Sequence, residues 1–216
     1  MGRNSVFKYL DFSGCNRNFD EIDAYMNENI LPEPICIASW KEYSYKPEVT
    51  VGTGWSDNDL YLKFTVRERT TRAKFRMAND PVHLDSCIEF FIDPGNGSYF
   101  NIEMNSIGTV YLGYGTCRAD SRPMAEATTI TSLSSIGREP FEEKHIKEWT
   151  ITVDIPLKLF QGTPLHEPGG KAFRANFYKC GDELKDPHFL SMFKIESAHP
   201  DFHRPESFGT VVFEQP

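Results

Sequence analysis

Apolar and polar residues alternate along most of this chain, in short runs. Leu60, Leu62, Phe64 and Val66 interleave with Tyr61, Lys63, Thr65 and Arg67. That period of two sends one row of side chains to a core and the other outward. It recurs where Trp149, Ile151, Val153 and Ile155 face away from Thr150, Thr152 and Asp154, and where Phe173, Ala175 and Phe177 face away from Arg174, Asn176 and Tyr178. Weaker strand signals lie at residues 35–40, 48–55, 109–113, 127–133 and 211–213. Helical spacing is confined to Phe19, Ile22, Tyr25, Met26 and Ile30, with Asn18 as cap and Pro32 and Pro34 beyond the end, which predicts one helix over residues 19–29. Residues 156–160 read as a single helical turn. Roughly nine short strands with little helix argue for an all-β fold, an antiparallel β-sandwich with one short N-terminal helix.

The most informative stretch runs from Asp85 to Asn105. Two β-type runs flank Pro94-Gly95-Asn96-Gly97-Ser98, a strong hairpin signal. Ile88, Phe90 and Ile92 share one face with Phe100, Ile102 and Met104; Cys87, Glu89 and Phe91 share the other with Tyr99, Asn101, Glu103 and Asn105. Pairing Asp93 with Tyr99 sets Glu89 directly opposite Glu103. Like charges so placed destabilise a sheet, so a compensator is expected: an Arg, a metal, a shared proton or a hydroxyl-rich ligand.

Composition narrows the setting. At 216 residues, 39% hydrophobic and 25% charged, the chain reads as one domain (1–216) with an N-terminal extension over residues 1–34. A net charge of −8 argues against binding nucleic acid or an anionic membrane, which need clustered Lys and Arg. No apolar run is long enough to span a bilayer. The first residues lack a signal-peptide core, and Val6 stands where a myristoylation motif wants Ser or Thr. Cys15, Cys36, Cys87, Cys117 and Cys180 are odd in number and scattered, which suits free thiols in a reducing compartment. The chain as given therefore reads as cytoplasmic, although a removed signal would leave the same silence. The segments 70–84, 114–125 and 181–206 are long for loops, a length that commonly signals function or disorder, and the aromatics in the last argue against disorder.

Several ordered motifs are similar to those of the family 9 carbohydrate-binding modules, best known as appendages of xylanases. They are Asp85-Ser86-Cys87-Ile88-Glu89-Phe90-Phe91-Ile92-Asp93, the apolar strand Trp149 to Pro156, the strand Phe173 to Tyr178, and the closing Pro205-Glu206-Ser207-Phe208-Gly209. The chain looks most like the stand-alone, gut-bacterial branch. The resemblance implies a jelly-roll-like sandwich holding a mono- or oligosaccharide between two aromatics, over polar side chains of one sheet face. Position by position, Glu89 matches a sugar-binding residue. Asn101 falls where the xylanase modules place an arginine, and Asn176 where they place a glutamine. His83 falls on the first clamp tryptophan, and Phe202 lies near the second. These departures leave two outcomes open: a sugar site of altered specificity, or a site put to another use.

Sugar binding needs flat aromatic faces for ring C–H groups and fixed donors and acceptors for hydroxyls. The polar face offers Glu89, Asn101, Glu103, Arg174, Asn176 and Tyr178; loops offer His83, Trp55, Phe202 and His203. In the plainest alternative this face is simply solvated, with Arg174 pairing the two glutamates. A glycoside hydrolase using Glu89 and Glu103 is a second reading, with a separate hydrolase as partner in the binding reading. A haem sensor is a third, drawing on Met77, Met104, Met192 and the histidines, among them His188, His199 and His203. No cofactor is required. Structural calcium stays open through Asp57, Asp59 and Asp93, which turn chemistry explains equally well.

Overall fold

The structure, a computed structural model, describes residues 4–13 and 17–216; Cys15 lies outside the described residues. Its strands are β1 (Ser5–Tyr9), β2 (Glu33–Pro34), β3 (Glu48–Trp55), β4 (Asp59–Arg67), β5 (Thr71–Ala73), β6 (Cys87–Asp93), β7 (Tyr99–Asn105), β8 (Val110–Gly115), β9 (Arg122–Pro123), β10 (Thr131–Ser134), β11 (Phe141–Lys144), β12 (Glu148–Pro156), β13 (Ala172–Cys180), β14 (Phe189–Ser191) and β15 (Gly209–Phe213), with one α-helix, α1 (Phe19–Asn29). One layer runs β10-β12-β4-β3, the other β15-β13-β6-β7-β8-β9. The fold is the expected β-sandwich.

The layers meet at β1, which no alternation announced. Ser5, Val6 and Phe7 pair with Val211, Val212 and Phe213 of β15, while Lys8 and Tyr9 pair with Gly54 and Trp55 of β3. Both pairings are parallel, unlike those elsewhere in the two layers. One short strand thus closes an edge of each sheet at once, which removes two rows of unpaired backbone groups. Phe7 sits at this seam, stacked on Phe213 at 4.4 Å and 5.8 Å from Phe90.

Between the layers the apolar rows interdigitate: Phe64, Ile151 and Val153 from one side, Phe90, Ile102 and Phe177 from the other. Helix α1 begins where Asn18 Oδ1 accepts the Glu21 N–H at 2.9 Å. It lays Ile22 and Met26 on Leu10, Phe12 and Tyr61, outside the β3–β4 layer. Lys63 anchors it through Asp23 at 2.6 Å.

The other outward face, on β13-β6-β7-β8, positions the site. In register, Glu89 opposes Glu103, Phe91 opposes Asn101, and on the other side Glu89 opposes Tyr178 and Cys87 opposes Cys180. This face is not solvated. Loop residues Trp40, Ile195, Phe202 and Phe208 pack onto Phe91, Tyr99 and Tyr178 as a second apolar cluster, which accounts for the aromatic content of the long segment after β13.

Buried polar anchors fix those loops. Asp85 Oδ2 accepts the backbone N–H of Lys74 at 2.9 Å and of Phe75 at 3.0 Å, and the Asn105 amide at 2.9 Å. Deeper in, Lys179 pairs with Glu68 at 3.0 Å and lies 2.8 Å from His188 Nε2, while Trp149 donates to Glu68 at 2.8 Å. Burial first, then the Lys179 charge, pushes the His188 pKa down to about 2, so the ring stays neutral. Among the described residues no helix is long and apolar enough to cross a membrane.

Candidate functional site

A cavity of about 530 Å³ opens on the covered face of the second layer, within the range of roughly 300–1,000 Å³ common for small-molecule sites. Its floor is the hairpin. Glu89, Asn101 and Glu103 project into it from β6 and β7, each almost fully buried. Tyr43, Tyr111, Phe189 and Phe202 supply aromatic wall, and the rim carries His83, Arg118, Asp182 and Asp201.

Hydrogen bonds tie the floor residues into two groups. Ser121 Oγ donates to Asn101 Oδ1 at 2.9 Å, Asn101 Nδ2 donates to Glu103 Oε1 at 2.9 Å, and Cys180 Sγ donates to Glu89 Oε1 at 3.1 Å. Strand β8 passes close enough to need a glycine there. A Cβ on Gly113 would lie 2.3 Å from Asn101 Oδ1 and 2.7 Å from Ser121 Oγ.

Electrostatics follow from that burial. Glu89 is pushed well above the usual carboxylate range, first by desolvation and then by Glu103 opposite. Desolvation carries Glu103 up to about 7, with the Asn101 amide and the Arg118 charge pulling the other way. The pair therefore holds a proton near neutral pH. Among the described residues no Lys or Arg forms an ion pair with either carboxylate; His83 Nδ1 lies 3.9 Å from Glu103 Oε2. Arg118 is committed to Asp201 Oδ1, at 3.1 and 2.8 Å. His203 shares a 2.8 Å hydrogen bond with Tyr99; burial, then Arg118, lowers its pKa to about 4.

Of the residues expected to bind, the fold brings His83, Glu89, Asn101, Glu103, Phe202 and His203 around this one cavity. The other four stand elsewhere. Tyr178 lies beneath the wall, stacked on Phe202 at 4.2 Å and donating to the Phe202 carbonyl at 3.2 Å. The Asn176 carboxamide is consumed by backbone, donating to Phe193 O at 3.0 Å and accepting from Phe193 N at 3.0 Å and Phe177 N at 2.9 Å. Arg174 opposes Asp93, four residue pairs along β6–β13 from Glu89, and donates to the Phe208 carbonyl. Trp55 is a core residue, edge-on to Tyr9 at 5.0 Å and Phe213 at 6.1 Å. Both sides of the β3 end are covered, so alternation there does not separate core from surface.

Other lining residues went unread. Tyr111 pairs with Glu103 across β7–β8, and the same parity would have found it. Tyr43, Arg118, Asp182 and Phe189 come from loops and a strand end, where no period applies.

The aspartates proposed for calcium do not converge among the described residues. Asp93 Oδ1 accepts the N–H groups of Gly95, Asn96 and Gly97 at 2.7, 3.1 and 3.2 Å, the turn role of its residue type. Asp57 accepts from Tyr9 at 3.0 Å, and Asp59 from Tyr61 at 3.3 Å. The methionines and histidines named for haem have other surroundings among the described residues. Met104 and Met192 belong to the core between the layers and Met77 is exposed; His188 is bound to Lys179, and His199 is exposed.

Fold and site together define a class: a β-sandwich with a half-enclosed pocket on one sheet face, floored by carboxyl and amide groups and walled by aromatics. The sequence matches the family model for carbohydrate-binding family 9 over residues 20–213, and the chain belongs to that family. It is similar to a candidate carbohydrate-binding protein from Bacteroides uniformis ATCC 8492, at 31% identity and a TM-score of 0.90, over 99% of this chain and 100% of that one. A family 9 module from Caldicellulosiruptor kristjanssonii solved with glucose shares the fold at 13% identity and a TM-score of 0.64, over 99% and 97% of the two chains. The structure of such a module from the same organism with cellotriose gives 12% identity and 0.62, over 99% and 95%. No curated protein matches the chain.

Proposed function

We propose that the cavity above Glu89 and Glu103 binds a neutral monosaccharide or the end of a short oligosaccharide, without catalysis. The observation that carries this is the pairing of a carboxyl–amide floor, whose glutamates no Lys or Arg among the described residues pairs, with an aromatic wall in one partly open space. A carboxyl that keeps its proton both donates and accepts, a carboxylate accepts, and amides do both; such a floor suits the mixed polarity of sugar hydroxyls. Phe202, which lines the cavity and is held by stacking on Tyr178, supplies apolar wall for ring C–H groups. Membership of the family and the sugars named with its two Caldicellulosiruptor modules support the same reading.

The hydrolase alternative fits the geometry less well. Glycosidase carboxyls flank the scissile bond, so that acid and nucleophile or base work from different sides. Glu89 and Glu103 stand side by side on adjacent strands and meet any ligand from the floor alone. In our reading the chain serves polysaccharide use by holding sugar, and cleavage falls to a separate hydrolase.

A thermal-shift series with neutral mono- and oligosaccharides tests this. At a hundredfold excess over Kd, a ligand of the native state adds about 2.7 kcal/mol, a rise of about 5–11 °C for a chain this long. A shift with one sugar class that Phe202→Ala abolishes supports the assignment. No shift with any sugar overturns it.

A further inference from the structure

The two glutamates lack a compensating cation, and the fold sets two further ligands beside one of them. Cys87 and Cys180 are directly opposed across β6 and β13, and Glu89 follows Cys87 on the same face. One ligand atom from each of Cys87, Glu89 and Cys180 lies within 4.8 Å of the other two, and all three residues are buried. They are the one such trio among the described residues. We propose that Cys87, Cys180 and Glu89 form a binding site for a single thiophilic d¹⁰ cation, Zn²⁺ in the first instance, beneath the floor of the cavity.

The chemistry favours that metal class. Two thiolates and one carboxylate are a donor set for Zn²⁺, whereas Ca²⁺ and Mg²⁺ take oxygen ligands. Tetrahedral zinc, with bonds of about 2.3 Å to sulfur and about 2.0–2.2 Å to oxygen, holds its ligands about 3.5–3.8 Å apart. The 3.1 Å from Cys180 Sγ to Glu89 Oε1 is within a small movement of that spacing. Three protein ligands leave one position free, and it faces the cavity, because Glu89 and Cys180 line it while Cys87 does not. As the metal–sulfur bonds form, both thiols and the Glu89 carboxyl release their protons to solvent. The charge of Zn²⁺ offsets the two thiolates, and the Glu89 carboxylate completes the set at a net charge of −1. Because uptake releases protons, it strengthens as pH rises.

The test is a cobalt and zinc titration of the reduced, metal-free chain. The expected result is one equivalent bound, with a thiolate-to-cobalt absorption band of the strength of two sulfur ligands. Cys87→Ser and Cys180→Ser each lower affinity by more than about 100-fold, beyond the loss of an outer-sphere partner. A triple variant replacing Cys15, Cys36 and Cys117 by Ser keeps the site. No uptake, a band of one sulfur or none, or uptake that follows the triple variant overturns the proposal. Should either serine variant fail to fold, the band of the parent chain decides alone. Sugar titration of the metal-free chain separates this site from the cavity, since each result stands whichever way the other falls.

Discussion

Replacing Glu103 by Gln isolates the energetic consequence of burying this carboxyl. Burial raises Glu103 from 4.5 to about 7, so the folded chain holds that proton more tightly than the unfolded chain does. Stability from this source is fully present below the unfolded pKa and is lost as pH rises through the folded one. A displacement of about 2.5 units at 1.36 kcal/mol each amounts to roughly 3 kcal/mol, lost between about pH 4.5 and pH 7. Glutamine keeps an oxygen for the Asn101 amide but carries no charge, and it also removes the repulsion that raises Glu89. His203 and His188, whose lowered pKa values act in the opposite direction at acid pH, are common to both chains and cancel in the difference. Glu103→Gln is therefore expected to match the parent near pH 4.5 and to exceed it by about 3 kcal/mol at pH 8, or about 6–12 °C in Tm. Denaturant unfolding of both chains from pH 4.5 to 8.5 measures this. A stability difference that does not change with pH, or a variant less stable at pH 8, would refute the reasoning.

Three further perturbations address separate parts of the molecule. Gly113→Ala drives a methyl into Asn101 Oδ1 and Ser121 Oγ; it should cost about 1–3 kcal/mol in denaturant melts and weaken sugar binding by displacing the floor amide. Lys179→Met leaves Glu68 charged and unpaired at full burial and should destabilise by about 3–5 kcal/mol by the same assay. Asn18→Ala removes the cap of α1, for a loss of about 1 kcal/mol with sugar affinity unchanged in titration calorimetry.

The sandwich was legible because its strands bury one face against a continuous core. Alternation at residues 60–66 and 149–155 marks β4 and β12, and the Asn18 cap and paired prolines bound α1. The opposition of Glu89 and Glu103 followed from parity and the hairpin turn, and the register is as expected. Parity could not say that loops would fold back over this face. That covering turns Asn176 and Tyr178 from surface groups into buried supports, while Arg174, further along β13, turns to the Phe208 carbonyl. Trp55 misled for the converse reason, since a turn-flanking aromatic beside Asp57 reads as exposed yet lies in the core. Rim residues such as Arg118 and Asp182 sit in irregular backbone, whose path depends on tertiary packing and not on a local period.

The central claim is that the floor of this cavity holds sugar. Titration calorimetry of the metal-free chain and its Asn101→Ala variant with neutral oligosaccharides tests it most directly. The account predicts one site per chain, with affinity reduced about 10-fold or more in the variant, as expected for losing a buried hydrogen-bonding group worth about 1–3 kcal/mol. A parent chain that binds no sugar, or a variant that binds as tightly as the parent, would contradict it.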